Sequence, residues 1–546
     1  LGDVYKRQIY THGCGVVAAP ASRVTVDGRP TYIDLGVKKP QLYVGEGLDG
    51  YSIVGTNQIE QACPDTSAAA YSGTGGVKLS SPVRRVAFAL HFGEYNLFGS
   101  NLISSESQIM WNRNVKERVQ KLAPFFQYDS DPYPVIVDGK VMWIVDAFTT
   151  TSRYPNSQTA NIDQLPAGSG LNTNFNYVRN SVKVVVDAYT GATIFYQVDA
   201  NDPIANAWGK VFPKLLTPVA EAPAELVAHF RYPEDLFRVQ TNMYGRYQFD
   251  DPTLFFNRDA AWSVAQAPPT EPEGTSGVIG SADTSLTPDM INVQDANVER
   301  FEPYFTIFHA PGAAESNGVF SMLRPFVPFS SDNARKELRA LMVVSSDPRT
   351  YGQLTVYKVG EPLPEGPATV AAEFGSDPTV SQQVTLLDQR GSRVIFGDLQ
   401  IVPISKGLIY VRPLFVRPDD TSARQVFVRK MLASYNNKVV IADDLTTAIT
   451  RLFPGYTGSL GDRVSDGGVA VPDSTVPDSG NSTQTTVPSS VPSSSQSAPE
   501  LLAQAEALFD QADAALAQTP PDFATYQSKL SQARELIRQA LQLIGN

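Results

Sequence analysis

Cysteine is nearly absent. Cys14 and Cys63 are the two in 546 residues, too few for a disulfide scaffold or a thiolate metal cage. In an oxidising compartment they can pair; otherwise they stand as two unrelated small buried residues. The four histidines, His12, His91, His229 and His309, are far apart and make no ligand spacing, whereas zinc needs at least three converging donors. No apolar run reaches the roughly 20 residues of a membrane helix, and no signal-peptide pattern opens the chain. Charge is scarce as well, with 18% of residues charged against roughly 25% in ordinary soluble domains. The balance is acidic, with a net charge of −12, and the notable basic doublets are Arg84-Arg85 and Lys38-Lys39. Nucleic acid is thereby excluded as a partner, since a polyanion demands a basic face.

Catalytic signatures are missing too. There is no Gly-x-Ser-x-Gly, phosphate loop, Gly-x-Gly-x-x-Gly or His-Glu-x-x-His. No catalytic residue, cofactor site or metal site is assigned, and no cofactor is expected.

What is present is core material: 42% hydrophobic and 10% aromatic residues, enough to rule out wholesale disorder. Residues 1–8 read unlike the rest of the chain, as a non-native remnant. Residues 9–266 alternate apolar and polar positions between turn signals. Asp138-Gly139 divides two such runs over residues 134–146, and Gly191 closes a longer turn over residues 181–198. Helices are expected over residues 114–122, from Pro203 behind an Asp202 cap, and over residues 233–247 with Leu236, Phe237, Gln240, Met243 and Tyr244 on one face. Residues 267–294 read as a loop rich in Pro, Gly and Ser. β signals resume over residues 295–462, with strands at 318–329, 338–345, 354–359, 394–404 and 408–416, and helices at 379–389 and 443–453. Residues 463–498 are low-complexity, mostly Ser, Thr, Pro, Val, Gly and Asp, and cannot bury enough surface to offset their ordering entropy. Residues 499–546 carry two apolar stripes at helical spacing, broken by Pro520-Pro521. The fold class is therefore α+β: a β-rich mixed region with interspersed helices, then a disordered tether and a two-helix hairpin. A pair of helices this small buries too little surface to stand alone, so the hairpin is expected to dock on another copy, on an envelope protein or on its own chain.

One short stretch concentrates aromatic and carboxylate side chains. Arg118, Asp129, Asp131, Trp143, Asp146 and Tyr154 form a candidate binding patch of the composition that meets glycans, and β-sheet cores with charged edges look the same. Asp129 and Asp131 have the spacing of a calcium or acid–base pair, and equally of the capping turns that precede strands; the structural reading is the expectation.

An ordered series of motifs carries a resemblance. It runs through Tyr10-Thr-His-Gly13, Tyr32-Ile-Asp-Leu-Gly36, Arg118-Val-Gln-Lys-Leu-Ala-Pro-Phe125, Tyr128-Asp-Ser-Asp-Pro-Tyr-Pro134, Trp143-Ile-Val-Asp-Ala147 and Thr149-Thr-Thr151. It continues through Tyr177-Val-Arg-Asn-Ser-Val-Lys-Val184, Arg231-Tyr-Pro-Glu-Asp-Leu-Phe-Arg-Val-Gln240, Gln389-Arg-Gly-Ser-Arg-Val-Ile-Phe-Gly397 and Tyr410-Val-Arg-Pro-Leu414. Together these resemble uncharacterised protein family 0182, large membrane proteins found mainly in actinobacteria. The resemblance implies a block of transmembrane helices followed by a large extracytoplasmic region, of which this chain is the second part. It brings no catalytic residue, substrate or cofactor. The chain departs from the family at Cys14, where an aromatic residue is usual, at Asn156, and over residues 60–75, which include Cys63; two cysteines at two departures favour a disulfide between them. The expected role is a non-enzymatic envelope binding or assembly module at the cell membrane. The alternatives are the ectodomain of a transporter or channel and an envelope enzyme acting on glycan or lipid.

Overall fold

Alternating apolar residues on either side of Asp138-Gly139 fold the chain back on itself, because both turn residues adopt positive φ, 50° and 71°, the twist a two-residue hairpin needs. The computed structural model describes residues 7–464 apart from 21–23, 26–27, 64–69, 101, 163–164, 167, 249, 258–259, 271–298, 311–317, 331–332, 390, 405–406, 419–425 and 458–462, and six residues beyond. Residues 471–546 are a unit separate from residues 1–470. The tether, the paired helices of the hairpin and most of the 267–294 loop lie outside the described residues.

Near the N-terminus a three-stranded sheet is formed by β1 (Ser52–Val54), β2 (Val77–Lys78) and β3 (Gln108–Met110), with β3 central. Helix α1 (Pro82–Phe92) packs on it. The six-stranded sheet comes next: β4 (Gln127–Tyr128), β5 (Tyr133–Val137), β6 (Lys140–Thr151), β7 (Tyr177–Asp187), β8 (Thr193–Gln197) and β9 (Leu216–Pro218). β6 pairs with β7 on one edge and with β4 and β5 on the other. Helix α2 (Val115–Leu122) lies on one face, capped by Asn114, whose side chain accepts from the amides of Lys116 and Glu117. Asp202 caps α3 (Pro203–Val211) through the Ile204 amide.

Helix α4 (Glu234–Tyr247) leads to the second half. The apolar stripe expected on it is only part of its buried surface. Asp235, Arg238, Thr241 and Gly245 are buried beside Leu236 and Phe237, while Gln240, Met243 and Tyr244 are half-buried. The reason is tertiary: the polar side chains find partners in neighbouring loops and strands, so the helix is covered on two sides.

A five-stranded antiparallel sheet is built from β10 (Trp262–Val264), β11 (Tyr304–Phe308), β12 (Val319–Pro328), β13 (Ala340–Ser345) and β14 (Leu354–Lys358). Two helices, α5 (Pro367–Ser376) and α6 (Pro378–Leu387), precede a second five-stranded sheet. Its strands are β15 (Ser392–Phe396), β16 (Gln400–Ile404), β17 (Gly407–Pro418), β18 (Phe427–Tyr435) and β19 (Lys438–Ala442), and α7 (Leu445–Leu452) packs on it behind an Asp444 cap. The single strand expected over 394–404 is in fact two, β15 and β16, both paired to β17. Asn436 and Asn437, both at positive φ, close the β18–β19 hairpin.

The largest apolar cluster runs from Phe148 through Phe237 and Phe326 to Leu414 and Leu432, so residues 9–266 and 295–462 share one core. Residues 7 and 8, set apart by the sequence, pack into the fold: the Arg7 guanidinium stacks 4.5 Å from the Tyr51 ring, and Gln8 is fully buried. Among the described residues no helix is long and apolar enough to cross a membrane.

Candidate functional site

The six patch residues do not meet. Successive side chains of a strand point to opposite faces, and β6 thereby separates Trp143 from Asp146. Trp143 packs on the α2 side and donates from its indole to the Val44 carbonyl at 3.0 Å. Arg118, on α2, donates to the Thr193 hydroxyl at 3.2 Å. Tyr154 stacks on Tyr177, 5.6 Å between centroids, and is half exposed. The structure gathers only Asp129, Asp131 and Asp146, on the other face of the sheet.

There they form a buried charge network. Lys183 of β7 is fully buried and pairs with Asp146 at 2.5 Å, while also donating to the Arg231 carbonyl between the rings of Tyr351 and Phe230. Asp129 accepts from the amides of Asp131 and Asp235, each at 3.1 Å. Asp235 in turn accepts from the Ser130 amide and hydroxyl and from the Ser169 hydroxyl. Asp131 pairs with Arg231, whose guanidinium stacks on Tyr133. Burial, then the charges of Asp235 and Asp146, push the Asp129 carboxyl well above the usual carboxylate range. Burial likewise pushes the Lys183 ammonium down, although Asp146 opposes it. These oxygens are engaged by main-chain and hydroxyl donors, so the network fastens the 129–131 turn to the start of α4 and to β6.

A different place has the shape of a site. A groove of about 820 Å³ lies between the two five-stranded sheets. Phe308, Leu341, Tyr357 and Lys358 line one side, Leu408 and Tyr410 the other, and the Asn436-Asn437 turn contributes as well. Glu365, just before α5, and Glu373, in the second half of that helix, also line it. Gly366 caps that helix because any side chain there would meet the Lys336 carbonyl oxygen, 2.0 Å from an added Cβ. Tyr410 donates to the Glu365 carbonyl, fixing the loop against β17. The two carboxyl groups are hydrogen-bonded to each other, and their Oε2 atoms are withdrawn from solvent without a neighbouring donor. Two carboxylates have no hydrogen to share, so the pair is satisfied only when it holds a proton. Burial first, then the hydrogen bond to Glu365 and its charge, push Glu373 up to about 7. Near neutrality Glu373 is therefore present in both its protonated and its charged form. Carboxyls in direct contact are too close for glycoside hydrolysis, which requires about 5 Å or more between them.

Comparison with known proteins places the chain. The profile of an uncharacterised protein family, UPF0182, matches residues 4–387. The chain belongs to UPF0182. A UPF0182 protein of Desulforamulus reducens is 34% identical over 549 residues, covering 98% of this chain and 53% of the relative. Those of Trichodesmium erythraeum and Bradyrhizobium diazoefficiens are 35% and 36% identical, each over 82% of this chain and over 48% and 45% of their own lengths. The chain thus spans about half the length of these relatives. No solved structure matches it.

In this UPF0182 chain Cys14 and Cys63 are joined in a disulfide with Cα atoms 5.5 Å apart. His12 brings Nδ1 to 3.8 Å from both sulfurs, but the same nitrogen lies 3.0 Å from the Gly13 carbonyl oxygen and the sulfurs are bonded to each other. The trio is a cross-link with an adjoining imidazole. Sequence reasoning missed Glu365 and Glu373. They are eight positions apart across a helix start, a spacing with no local signature, and the one available hint was a Glu directly before Gly366-Pro367.

Proposed function

We propose that this chain is the extracytoplasmic binding module of a larger membrane protein, and that the groove beside Glu365 and Glu373 holds a small ligand with a cationic group. The observation that carries the reading is a pair of carboxyl groups, Glu365 and Glu373, whose Oε2 atoms are withdrawn from solvent and lack a donor, inside a groove of about 820 Å³, a volume within the range of small-molecule sites. An ammonium or guanidinium entering there supplies the donors that the two Oε2 atoms lack, beside walls of Phe308, Tyr357 and Tyr410. The contact between the two carboxyls favours binding over glycan hydrolysis. The disulfide supports an oxidising, extracytoplasmic setting, and the half-length match to the relatives leaves room for a further region.

The test is thermal denaturation with cadaverine, agmatine and the neutral disaccharide trehalose at pH 5.5 and pH 8. The expected result is a rise in Tm with the two cations that is larger at pH 8 and absent in Glu365→Gln/Glu373→Gln. A response to trehalose alone, or none to any probe, overturns the groove reading. The setting is tested separately by fractionating cells that express the full gene; a soluble cytoplasmic product overturns it.

A further inference from the structure

Arg118, grouped by the sequence with carboxylates that it never meets, belongs to a second pocket. About 380 Å³ in volume, it is lined by residues of α2, β2 and β3 and of the turn after β7. Val77, Trp111 and Leu122 give it apolar walls, its charged residues are Arg113, Arg118 and Lys121, and no Asp or Glu lines it. That balance runs against a chain of net charge −12. The three cations are held differently. Arg113 is buried, and its Nε, Nη1 and Nη2 donate to the Tyr43 carbonyl, the Ser52 hydroxyl and the Thr11 carbonyl at 2.9, 2.6 and 2.6 Å. Lys121 donates to the Asn112 side-chain oxygen at 2.8 Å and pairs with Glu117 at 3.3 Å. Arg118 is half-buried and has no carboxylate partner among the described residues. Beyond its bond to Thr193, its Nη1 reaches the Asn112 carbonyl at 3.4 Å, long for a hydrogen bond, and Nη2 has no acceptor among the described residues. A Cβ at Gly191, φ 73°, would lie 3.0 Å from that Nη2, so the glycine leaves the guanidinium its place. Burial lowers the Arg118 guanidinium from its ordinary range, and no acid opposes the shift.

We infer that this pocket binds a small organic anion, a carboxylate or phosphate group on an apolar body, through the guanidinium of Arg118. A guanidinium carries only donors, and its planar fork matches carboxylate and phosphate oxygens alike. An arginine with a purely structural role has its donors taken up by the protein, as those of Arg113 are; Arg118 keeps N–H groups to spend. Arg113 adds a second positive charge that no carboxylate offsets by contact, while the charge of Lys121 is shared with Glu117. The walls of Val77, Trp111 and Leu122 take the apolar body, and the volume lies within the range of small-molecule sites. This pocket is independent of the groove beside Glu365 and Glu373, selects the opposite charge, and stands even if the groove binds nothing.

The experiment is isothermal titration calorimetry of the full chain with phenylacetate, phenyl phosphate, inorganic phosphate and the neutral phenylacetamide. The aromatic anions are expected to bind, the tighter of the two naming the head group. Phenylacetamide should be about tenfold weaker or more, because it lacks the charge that strengthens the bond to Arg118. Arg118→Gln should weaken the anions by about tenfold or more, and Arg118→Lys, which keeps the charge and loses the fork, should recover part of the loss. Lys121→Glu turns an exposed cation into an acid beside the pocket and should weaken them as well without lowering the Tm. Failure of both aromatic anions to bind, equal binding of phenylacetamide, or full affinity in a folded Arg118→Gln variant overturns the inference. Inorganic phosphate bound as tightly as phenyl phosphate overturns the role of the apolar walls. Should Arg118→Gln fail to fold, Lys121→Glu decides, and unchanged affinity there overturns the inference.

Discussion

The Lys183–Asp146 pair decides whether the polar centre behind the six-stranded sheet is structural. The side chains are 0% and 3% exposed and 2.5 Å apart. Lys183→Met fills the channel between Phe230 and Tyr351 but leaves the Asp146 charge buried, with the Asn180 amide at 2.9 Å as its remaining side-chain donor. Removing one partner of a buried pair costs about 3–5 kcal/mol. Asp146→Asn strands the ammonium in the same way, and part of its cost is offset by the Arg231 carbonyl and the two ring faces. The double variant Lys183→Met/Asp146→Leu strands neither charge and should cost only about 1–2 kcal/mol, less than either single change. Urea unfolding followed by tryptophan fluorescence reads all three variants, with Trp143 on the opposite face of the same strand as a local reporter. Costs of the two single changes that simply add in the double variant would show that the pair does not interact, and the account of this network would be withdrawn.

Other sites give further expectations on the same physical grounds. Glu373→Gln should flatten the pH dependence of stability: the native carboxyl holds its proton up to about 7 against 4.5 for the ordinary group, so its contribution is full below pH 4.5 and is lost as pH rises through 7. Solvent screening keeps that contribution below about 1 kcal/mol, and Tm profiles of equal slope for wild type and variant contradict it. Asp131→Asn weakens a half-exposed pair with Arg231 and should cost about 0.5 kcal/mol; a calcium-dependent rise in Tm that vanishes in this variant would make Asp131 a ligand instead. Cys63→Ser opens a cross-link between residues 49 apart and should cost about 3–4 kcal/mol. Labelling of the denatured, unreduced wild type should find no thiol, and two thiols would refute the bridge.

Local signals were legible wherever the chain's own neighbours decide the conformation. Asp138-Gly139 and Asn436-Asn437 dictate hairpins because each must take positive φ, and Asn114, Asp202 and Asp444 start helices because their side chains replace missing backbone acceptors. The α+β class follows from those alternations and from enough apolar residues to cover the sheets. What the sequence could not decide is which side chains meet across long separations. It grouped Trp143 with Asp146 by proximity, yet a strand sends neighbours of odd spacing to opposite faces, and only the packing of α2 on one side and α4 on the other shows which face is which. It read α4 as one apolar stripe, because burial of Asp235, Arg238 and Thr241 depends on donors and acceptors supplied by residues remote in the chain. The groove and its carboxyl pair belong wholly to tertiary structure: Glu365 and Glu373 come together in the groove because a glycine pressed against the Lys336 carbonyl and a tyrosine from the second sheet fix the approach to α5.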